Sequence, residues 1–252
     1  MKGWQIFMHS IRQVFDNFEG ALRVSGVLYL VQICVSLAFG GGAFMASRDM
    51  AQNGPGAGFY LGILVVLLVA LVTGFWIAVA WHRYVLLGEK AEIIPTFRGD
   101  RIWAYLLRSL GYGLIVILIG AVWGMVVSFL VGSVLAQSMF VGLVLIGFLI
   151  YLPVLVIAFR MSADLPSAAL GVERPFMSGW AATQGQTADL VSLAAIVVVF
   201  GVTLQLIGVY IFGQIAILSI IWSLLVGWVQ MMVGVSILTT LYGHYIEKRA
   251  LI

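Results

Sequence analysis

Four ionisable side chains lie close to the ends of long apolar runs in this chain. An ionised group at the centre of a membrane helix costs at least about 2.5 kcal/mol, so such groups near membrane helices are candidates for function. Arg160 and Asp164 are four residues apart, a spacing that pairs side chains on one helix face. We therefore predict a polar cluster that binds an anionic headgroup or a partner's carboxylate, formed by Arg83, Arg108, Arg160 and Asp164. The alternative is that these charges only anchor helices at the membrane boundary.

Histidine is the commonest protein ligand for metals, and the chain has three histidines. His82 and His244 are predicted to share one membrane face, where two histidines could hold a haem. Both also lie among Trp and Tyr residues, as expected at a membrane interface, which explains them without a cofactor. The lone Cys34 has no second thiol for a disulfide or redox motif, and packing is its expected role. We predict no cofactor, no metal site and no catalytic residue.

Polar side chains in the middle of the apolar runs are amides and hydroxyls, not acids. Such groups usually form hydrogen bonds between helices, worth about 0.6 kcal/mol on average. A substrate path would use the same residue types, but an ion-coupled carrier normally adds an acid within the membrane. Coupled transport is therefore disfavoured. The residues concerned are Gln32, Thr73, Ser128, Gln205 and Gln230.

These side chains must be positioned by membrane helices, because 63% of the 252 residues are hydrophobic and only 9% are charged. A helix that crosses a bilayer needs about 20 mostly apolar residues, whereas strands of a membrane barrel alternate in polarity over about 10. The sequence therefore predicts an all-α, polytopic membrane protein with a single membrane domain, 1–252. Its six transmembrane helices are predicted at 24–46, 59–80, 112–135, 139–159, 190–212 and 215–241.

Residues 3–22, ahead of the first span, have a helical amphipathic pattern. Apolar residues recur at steps of three and four, and polar residues occupy the other positions. We predict an N-terminal amphipathic helix lying in the membrane interface. Its expected role is an anchor that completes the bundle; the alternative is a docking surface for a partner or for anionic lipid.

Basic residues predict the orientation. Of the 13 Lys and Arg residues, 12 fall on one side of the six spans and only Arg48 falls on the other. Basic residues are retained in the cytoplasm during insertion, so both termini are predicted to be cytoplasmic. Pro-containing links suggest three hairpin units of similar plan, 1–88, 89–164 and 165–252, each beginning with an interfacial helix. Two-span units cannot have opposite topology, which argues against an inverted-repeat carrier.

Glycines at regular spacings predict close helix packing. Small residues four or seven apart form a smooth stripe along which two helix backbones approach. Packing within the bundle is the expected role, and contact with another protein's helix is the alternative. The pairs are Gly120 with Gly124, Gly201 with Gly208, and Gly227 with Gly234. In the fourth span, Pro153 is expected to produce a kink.

Three segments, WHRYVLLGE at 81–89, RMSADLPSAALG at 160–171 and LTTLY at 238–242, resemble those of uncharacterised six-span inner-membrane proteins of proteobacteria. That group is similar to the membrane domain attached to some bacterial glycerophosphodiester phosphodiesterases. The resemblance implies a bacterial inner-membrane location and a six-helix architecture. It carries no catalytic residue over to this chain.

The function expected from these observations is non-enzymatic. The first hypothesis is an accessory subunit, or an assembly or organising factor, of a larger inner-membrane complex, with other integral membrane proteins and membrane lipids as partners and no nucleic acid. The second is a passive carrier or lipid-handling protein whose cytoplasmic-side arginines bind anionic headgroups. An enzyme, with a haem on His82 and His244, ranks third.

Overall fold

The described part of the chain is helical throughout, apart from turns and short connections. The structure is a computed structural model, and it describes residues 2–40, 56–137 and 147–251, within which no strand occurs. The helices are α1 (Lys2–Phe15), α2 (Phe18–Val35), α3 (Ala57–Leu87), α4 (Gly99–Gln137), α5 (Leu152–Ser162), α6 (Leu165–Leu170), α7 (Ser178–Ala182), α8 (Thr187–Ile207) and α9 (Ala216–Leu241). Single π-helical stretches follow α2, α8 and α9 at Ser36–Gly40, Gly208–Phe212 and Tyr242–Ile246, and Gly147–Tyr151 precedes α5.

Six helical segments are long and apolar enough to cross a membrane, which confirms the predicted fold class. They are Phe18–Phe39, Ala57–Leu87, Gly99–Gly132, Phe148–Leu170, Thr187–Phe212 and Ala216–Ile246. Parts of the first and fourth predicted spans, 41–46 and 139–146, lie outside the described residues, as does Arg48. The third span differs most, since α4 begins 13 residues earlier than predicted. Its 39 residues measure about 58 Å at 1.5 Å per residue, so α4 extends well beyond a hydrocarbon core of about 30 Å.

The N-terminal amphipathic helix is shorter than predicted: α1 ends at Phe15, not at residue 22. Asp16 and Asn17 form a turn, and the amide of Asn17 donates to the carbonyl of Gln13 at 3.0 Å. Phe18 begins α2 and packs edge-on against Trp228, with ring centroids 5.7 Å apart. The apolar periodicity continued across this turn because both helices present aromatic residues there, so the pattern alone did not mark the break.

One face of α1 is held against α8 and α9. Ile6 and Val14 are fully buried, and the ring of Phe7 meets that of Phe200 at 5.3 Å. The Ser10 hydroxyl donates to Thr240 Oγ1 at 2.9 Å. Gly3 lies so close to Ser192 that a Cβ there would overlap its hydroxyl. These contacts support the role of α1 as a part of the bundle.

The segments that precede the three predicted hairpin units differ in structure. Residues 88–98 contain no helix, and the helix ahead of the predicted span 112–135 is the first part of α4. The Trp76 indole donates to the carbonyl of Pro95 at 3.1 Å, which folds this connection back along α3. The third unit instead begins with two short helices, α6 and α7. The three segments that precede the hairpins therefore have different structures.

At Pro153, where a kink is predicted, the helix type changes. The π-helical stretch Gly147–Tyr151 passes directly into α5, and Pro153 occupies the first turn of α5. Proline has no backbone N–H to donate to the preceding turn, so the hydrogen-bonding pattern can change there without losing a bond.

Candidate functional site

We call the basic end the end of the bundle where α3 and α5 finish and α4 and α8 begin. At this end, the short helix α6 packs between α3 and α4. Four of its six residues are buried, namely Leu165, Pro166, Ser167 and Ala169. Pro166 lies in its first turn, where the missing N–H removes no helical bond, and Gly171 ends the helix with φ 78°. Side chains from both neighbouring spans converge on this helix.

Asp164 directly precedes α6 and is fully buried, the least exposed of the Asp, Glu, Lys and Arg side chains in the described chain. Its carboxylate accepts hydrogen bonds from the Tyr112 hydroxyl at 2.8 and 3.0 Å and from the Ser178 hydroxyl at 2.6 Å. An Arg108 Nη atom lies 3.8 Å away. Tyr112 Oη also accepts from the backbone N–H of Met177 at 3.1 Å. Burying a carboxylate is tolerated only with such pairing, so these contacts join α4, α6 and α7 into one unit.

Arg108 is committed to internal contacts, and its side chain is only 13% exposed. It donates to Ser167 Oγ at 2.8 Å and to the carbonyls of Arg174 and Pro175 at 2.5 and 3.1 Å. Its guanidinium therefore holds the connection between α6 and α7 against α4. This use explains why a charge occurs two turns inside α4, and it leaves few donors of Arg108 for an external anion.

Arg83 forms a second polar group at the basic end. It binds Glu89 through two nitrogens at 2.5 to 3.1 Å and donates to the carbonyl of Ala169 at 3.0 Å. Arg98 reaches the same carboxylate at 3.2 Å. The hydrogen bond from Arg83 holds the pKa of Glu89 below its usual range, against a smaller opposing effect of burial. The ionised Glu89 carboxylate therefore contributes its full stabilisation above the ordinary pKa of glutamate. This contribution is lost as the pH falls through the lowered pKa of Glu89.

Arg160 does not pair with Asp164, contrary to the prediction from their spacing. Its guanidinium lies over the Trp180 ring, 4.4 Å from the centroid, and donates to the Thr183 carbonyl at 3.2 Å. The reason is that α5 ends at Ser162 and Asp164 precedes a new helix. The two residues are thus not one turn apart on a continuous helix, which the i, i+4 rule requires.

The four residues of the predicted cluster are therefore only partly brought together. Arg108 and Asp164 are neighbours, Arg83 touches the other end of α6, and Arg160 is directed toward α7. Sequence reasoning missed the hydroxyls that complete the site. All three contact Asp164 but are 3 to 52 residues away from it in the sequence: Tyr112, Ser167 and Ser178. Only the Asp-Leu-Pro-Ser pattern at 164–167, typical of a helix start, marked one of them.

His82 does not fit a haem ligand. It is fully buried, with Thr239 Oγ1 2.8 Å from Nδ1 and Tyr105 Oη 3.2 Å from Nε2. Both ring nitrogens are therefore occupied by hydroxyls, and neither faces open space. His244 lies within 3.1 Å of the Arg249 carbonyl through Nδ1. Within the described ranges, no group of three His, Cys, Asp or Glu side chains is placed to hold a metal ion.

A polar cleft lies between α8 and α9 toward the end opposite the basic end. We call it the amide cleft; it has a volume of about 410 Å³ and is lined by Gln205, Gln214 and Gln230 together with Ser219 and Ser223. None of the described residues that line it is charged. The three amide side chains make no hydrogen bond within the described residues, whereas Gln32 on α2 donates to Thr73 Oγ1 at 2.6 Å. The mid-span glutamines therefore divide into one bonded between helices and two that are not.

The glycine pairs pack mostly within the bundle. A Cβ at Gly120 would lie 3.3 Å from Val154 and one at Gly124 3.8 Å from Ile150, so this pair faces the fourth span. Gly201 lies beside Gln230. Gly227 faces the Tyr29 hydroxyl, which itself donates to the Leu224 carbonyl at 2.8 Å.

Gly208 and Gly234 differ most in their surroundings, and they give a direct test of packing. A Cβ at Gly208 would lie 2.8 Å from Trp222 Cδ1, whereas nothing lies within 4 Å of one at Gly234. We expect Gly208→Ala to lower the free energy of unfolding by about 1–3 kcal/mol through overpacking. Gly234→Ala should raise it by about 0.5 kcal/mol through lost backbone entropy. Denaturant titration in detergent, followed by Trp fluorescence, measures both, and equal effects would contradict the packing role of Gly208.

A second cavity opens at the basic end beside α6. We call it the basic pocket; it has a volume of about 640 Å³ and is lined by Arg101, Ala104, Arg108, Ala168, Gly171, Val172, Glu173 and Arg174. Three arginines and one glutamate thus surround it. Arg101 has its Nε 3.0 Å from Asp100. The Nε of Arg174 is buried and has no hydrogen-bond partner within the described residues.

Comparisons of this chain with protein-family models, with curated proteins and with solved structures gave no match.

Proposed function

We propose that the chain is a non-enzymatic integral membrane protein that acts as an accessory subunit or organising factor of a larger bacterial inner-membrane complex, with the basic end facing the cytoplasm. The distribution of Lys and Arg supports this orientation. The arginine contacts described above support a rigid basic end, because Arg83, Arg108 and Arg160 each donate to a backbone carbonyl of a connection. A basic end held together by these hydrogen bonds favours a fixed scaffold over a protein with a gated substrate path.

The amide cleft is the observation that carries this proposal. Gln230 lies 14 residues into α9, about 21 Å along the helix, and therefore well within a bilayer. Transfer of an amide to an apolar medium without a hydrogen bond costs about 2–7 kcal/mol, depending on the reference state. Gln205 and Gln230 lack a protein partner in the described chain, unlike Gln32. A partner that supplies donors and acceptors at this depth would remove that cost.

A transmembrane helix that carries amide or hydroxyl side chains fits the cleft. From Ser219 to Gln230 the lining extends 11 residues along α9, about 16 Å or three helical turns. Polar side chains in membranes act mainly as hydrogen-bonding contacts between helices. The described lining is uncharged, so a partner with a neutral polar stripe is complementary to it and one with an ionised group is not.

Site-specific photocrosslinking tests the proposal. A photoreactive residue at Val209, which lines the cleft, is compared with one at Leu114 on α4; the two side chains are 61% and 60% exposed. In native membranes we expect one discrete protein adduct at Val209, because the partner helix lies there, and only lipid adducts at Leu114. Equal protein yields at both positions, or lipid adducts alone at Val209, would overturn the proposal.

A second candidate function is lipid handling through an anionic headgroup bound at the basic end. The basic pocket favours it, since three arginines line that cavity. The arginines of the predicted headgroup-binding cluster, Arg83, Arg108 and Arg160, have their guanidinium groups engaged internally. Arg101 and Arg174 therefore take their place in this hypothesis.

A further inference from the structure

We propose that the basic pocket is a phosphate-binding site in which Arg101 and Arg174 bind the oxygens of a phosphate group. This inference rests on the second proposed function and names the residues and the ligand chemistry for it. The site differs from the predicted cluster, of which only Arg108 lines the pocket. Its ligand is the phosphodiester of a lipid headgroup with net negative charge, or a soluble phosphate, and both present the same oxygens.

Arg101 lies beside Gly171 with its Nη atoms available. Its Nε is paired with Asp100, and the guanidinium lies against the backbone of Gly171, where a Cβ would overlap it. Gly171 has φ 78°, a conformation that disfavours any other residue. The Nη atoms make no hydrogen bond within the described residues. One edge of the guanidinium therefore faces Asp100, and its remaining donors have no hydrogen-bond partner among the described residues.

Arg174 is positioned by Arg108. The Arg108 guanidinium holds the backbone carbonyls of Arg174 and Pro175 at 2.5 and 3.1 Å, which places the Arg174 side chain in the pocket wall. The Arg174 guanidinium carbon lies 5.8 Å from the Tyr242 ring centroid, and its Nε is buried without a hydrogen-bond partner. The charge of an anion in the pocket would stabilise this incompletely paired guanidinium.

The lining of the pocket carries more positive than negative charge, which favours an anion. Arg101, Arg108 and Arg174 oppose a single lining carboxylate, Glu173, which is exposed. Two further carboxylates lie behind the arginines and balance the remaining charge: Asp100 is paired with Arg101, and buried Asp164 with Arg108. Of the three arginines, Arg174 has no carboxylate partner in the described chain.

The chemistry and place of the pocket point to phosphate. The guanidinium fork matches phosphate oxygens with two parallel bonds and cannot lose its charge. Trp103, 60% exposed, lies two residues after Arg101, at the level where aromatic residues meet headgroups. The apolar lining, Ala104, Ala168 and Val172, would contact the ester or glycerol carbons of a lipid.

Lipid titration with native mass spectrometry tests the site. Detergent-solubilised wild type, Arg101→Gln/Arg174→Gln and the control Arg12→Gln/Arg23→Gln, which removes the same charge elsewhere, are each titrated with phosphatidylglycerol and with phosphatidylcholine. Thermal unfolding with inorganic phosphate is recorded in parallel. We expect the wild type and the control to prefer phosphatidylglycerol, and the pocket variant to lose about tenfold in affinity, as for one or two charge-assisted hydrogen bonds. Arg174→Lys, which keeps the charge but loses the fork, should bind with intermediate affinity and serves if the double variant does not fold.

The outcomes distinguish failure of the proposed phosphate site from failure of the proposed lipid-handling function. Retention of phosphatidylglycerol by the wild type identifies a lipid headgroup, whereas thermal protection by inorganic phosphate without lipid retention identifies a soluble phosphate; loss of either in the pocket variant supports the site. If the wild type prefers phosphatidylglycerol and the pocket variant binds it as the control does, the site is overturned while lipid handling stands. No preference and no phosphate protection in the wild type would overturn both.

Discussion

Arg108→Ala is expected to lower the free energy of unfolding by about 3–5 kcal/mol, because it removes one member of a buried ion pair and leaves the other charged and enclosed. Asp164 would keep its bonds from Tyr112 and Ser178 but lose the adjacent positive charge. The carbonyls of Arg174 and Pro175 would also lose their donor. The loss should therefore detach the connection between α6 and α7 from α4.

The matched control is Arg23→Ala, which removes an arginine from an exposed i, i+4 pair with Glu19. Exposed pairs of this kind contribute about 0–1 kcal/mol, so little change is expected. Denaturant unfolding in mixed micelles measures both variants. A double-mutant cycle with Asp164→Asn then isolates the coupling between Arg108 and Asp164, which should be favourable. Equal losses for Arg108→Ala and Arg23→Ala would show that the buried pair has no special role.

The spans could be predicted from hydropathy, since length and apolar composition alone decide whether a helix can cross a bilayer. The beginning of α4 could not, because residues 99–111 include Arg101 and Arg108 and so depress the hydropathy there. Their charges are accommodated by Asp100 and by Ser167 with the backbone of the next connection. A sliding window along one segment contains no information about such partners.

The site was less predictable than the fold for the same reason. The pairing of Arg160 with Asp164 assumed one continuous helix, but Pro166 is better accommodated in the first turn of a new helix, and α5 ends at Ser162. Tyr112 is 52 residues from Asp164, and they meet only because α6 folds back between α3 and α4. Sequence periodicity describes faces of single helices, not the insertion of a short helix between two others.

The sequence shows where a polar residue lies in an apolar run, but not which residues lie next to it. Gln32, Gln205 and Gln230 are equivalent by position in an apolar run, but among the described residues only Gln32 of these three has an interhelical partner, Thr73. The structure separates a glutamine that stabilises the bundle from two that line an open cleft. The separation leads to opposite expectations for the same substitution.

Gln205→Leu/Gln230→Leu is therefore expected to leave the free energy of unfolding unchanged or higher, while protein crosslinking from position 209 falls about tenfold. Loss of two interhelical hydrogen bonds at about 0.6–1 kcal/mol each corresponds to roughly that factor. Removing amides that have no partner in the described part of the chain is expected to cost the isolated protein nothing. Gln32→Leu, the control, should instead lower stability by about 0.6 kcal/mol and leave crosslinking intact, since its bond to Thr73 lies inside the bundle. Unfolding in detergent and adduct yield in membranes measure the two quantities separately. A double variant that loses stability and keeps its adduct would mean that the glutamines hold the bundle together, and that the amide cleft binds no partner.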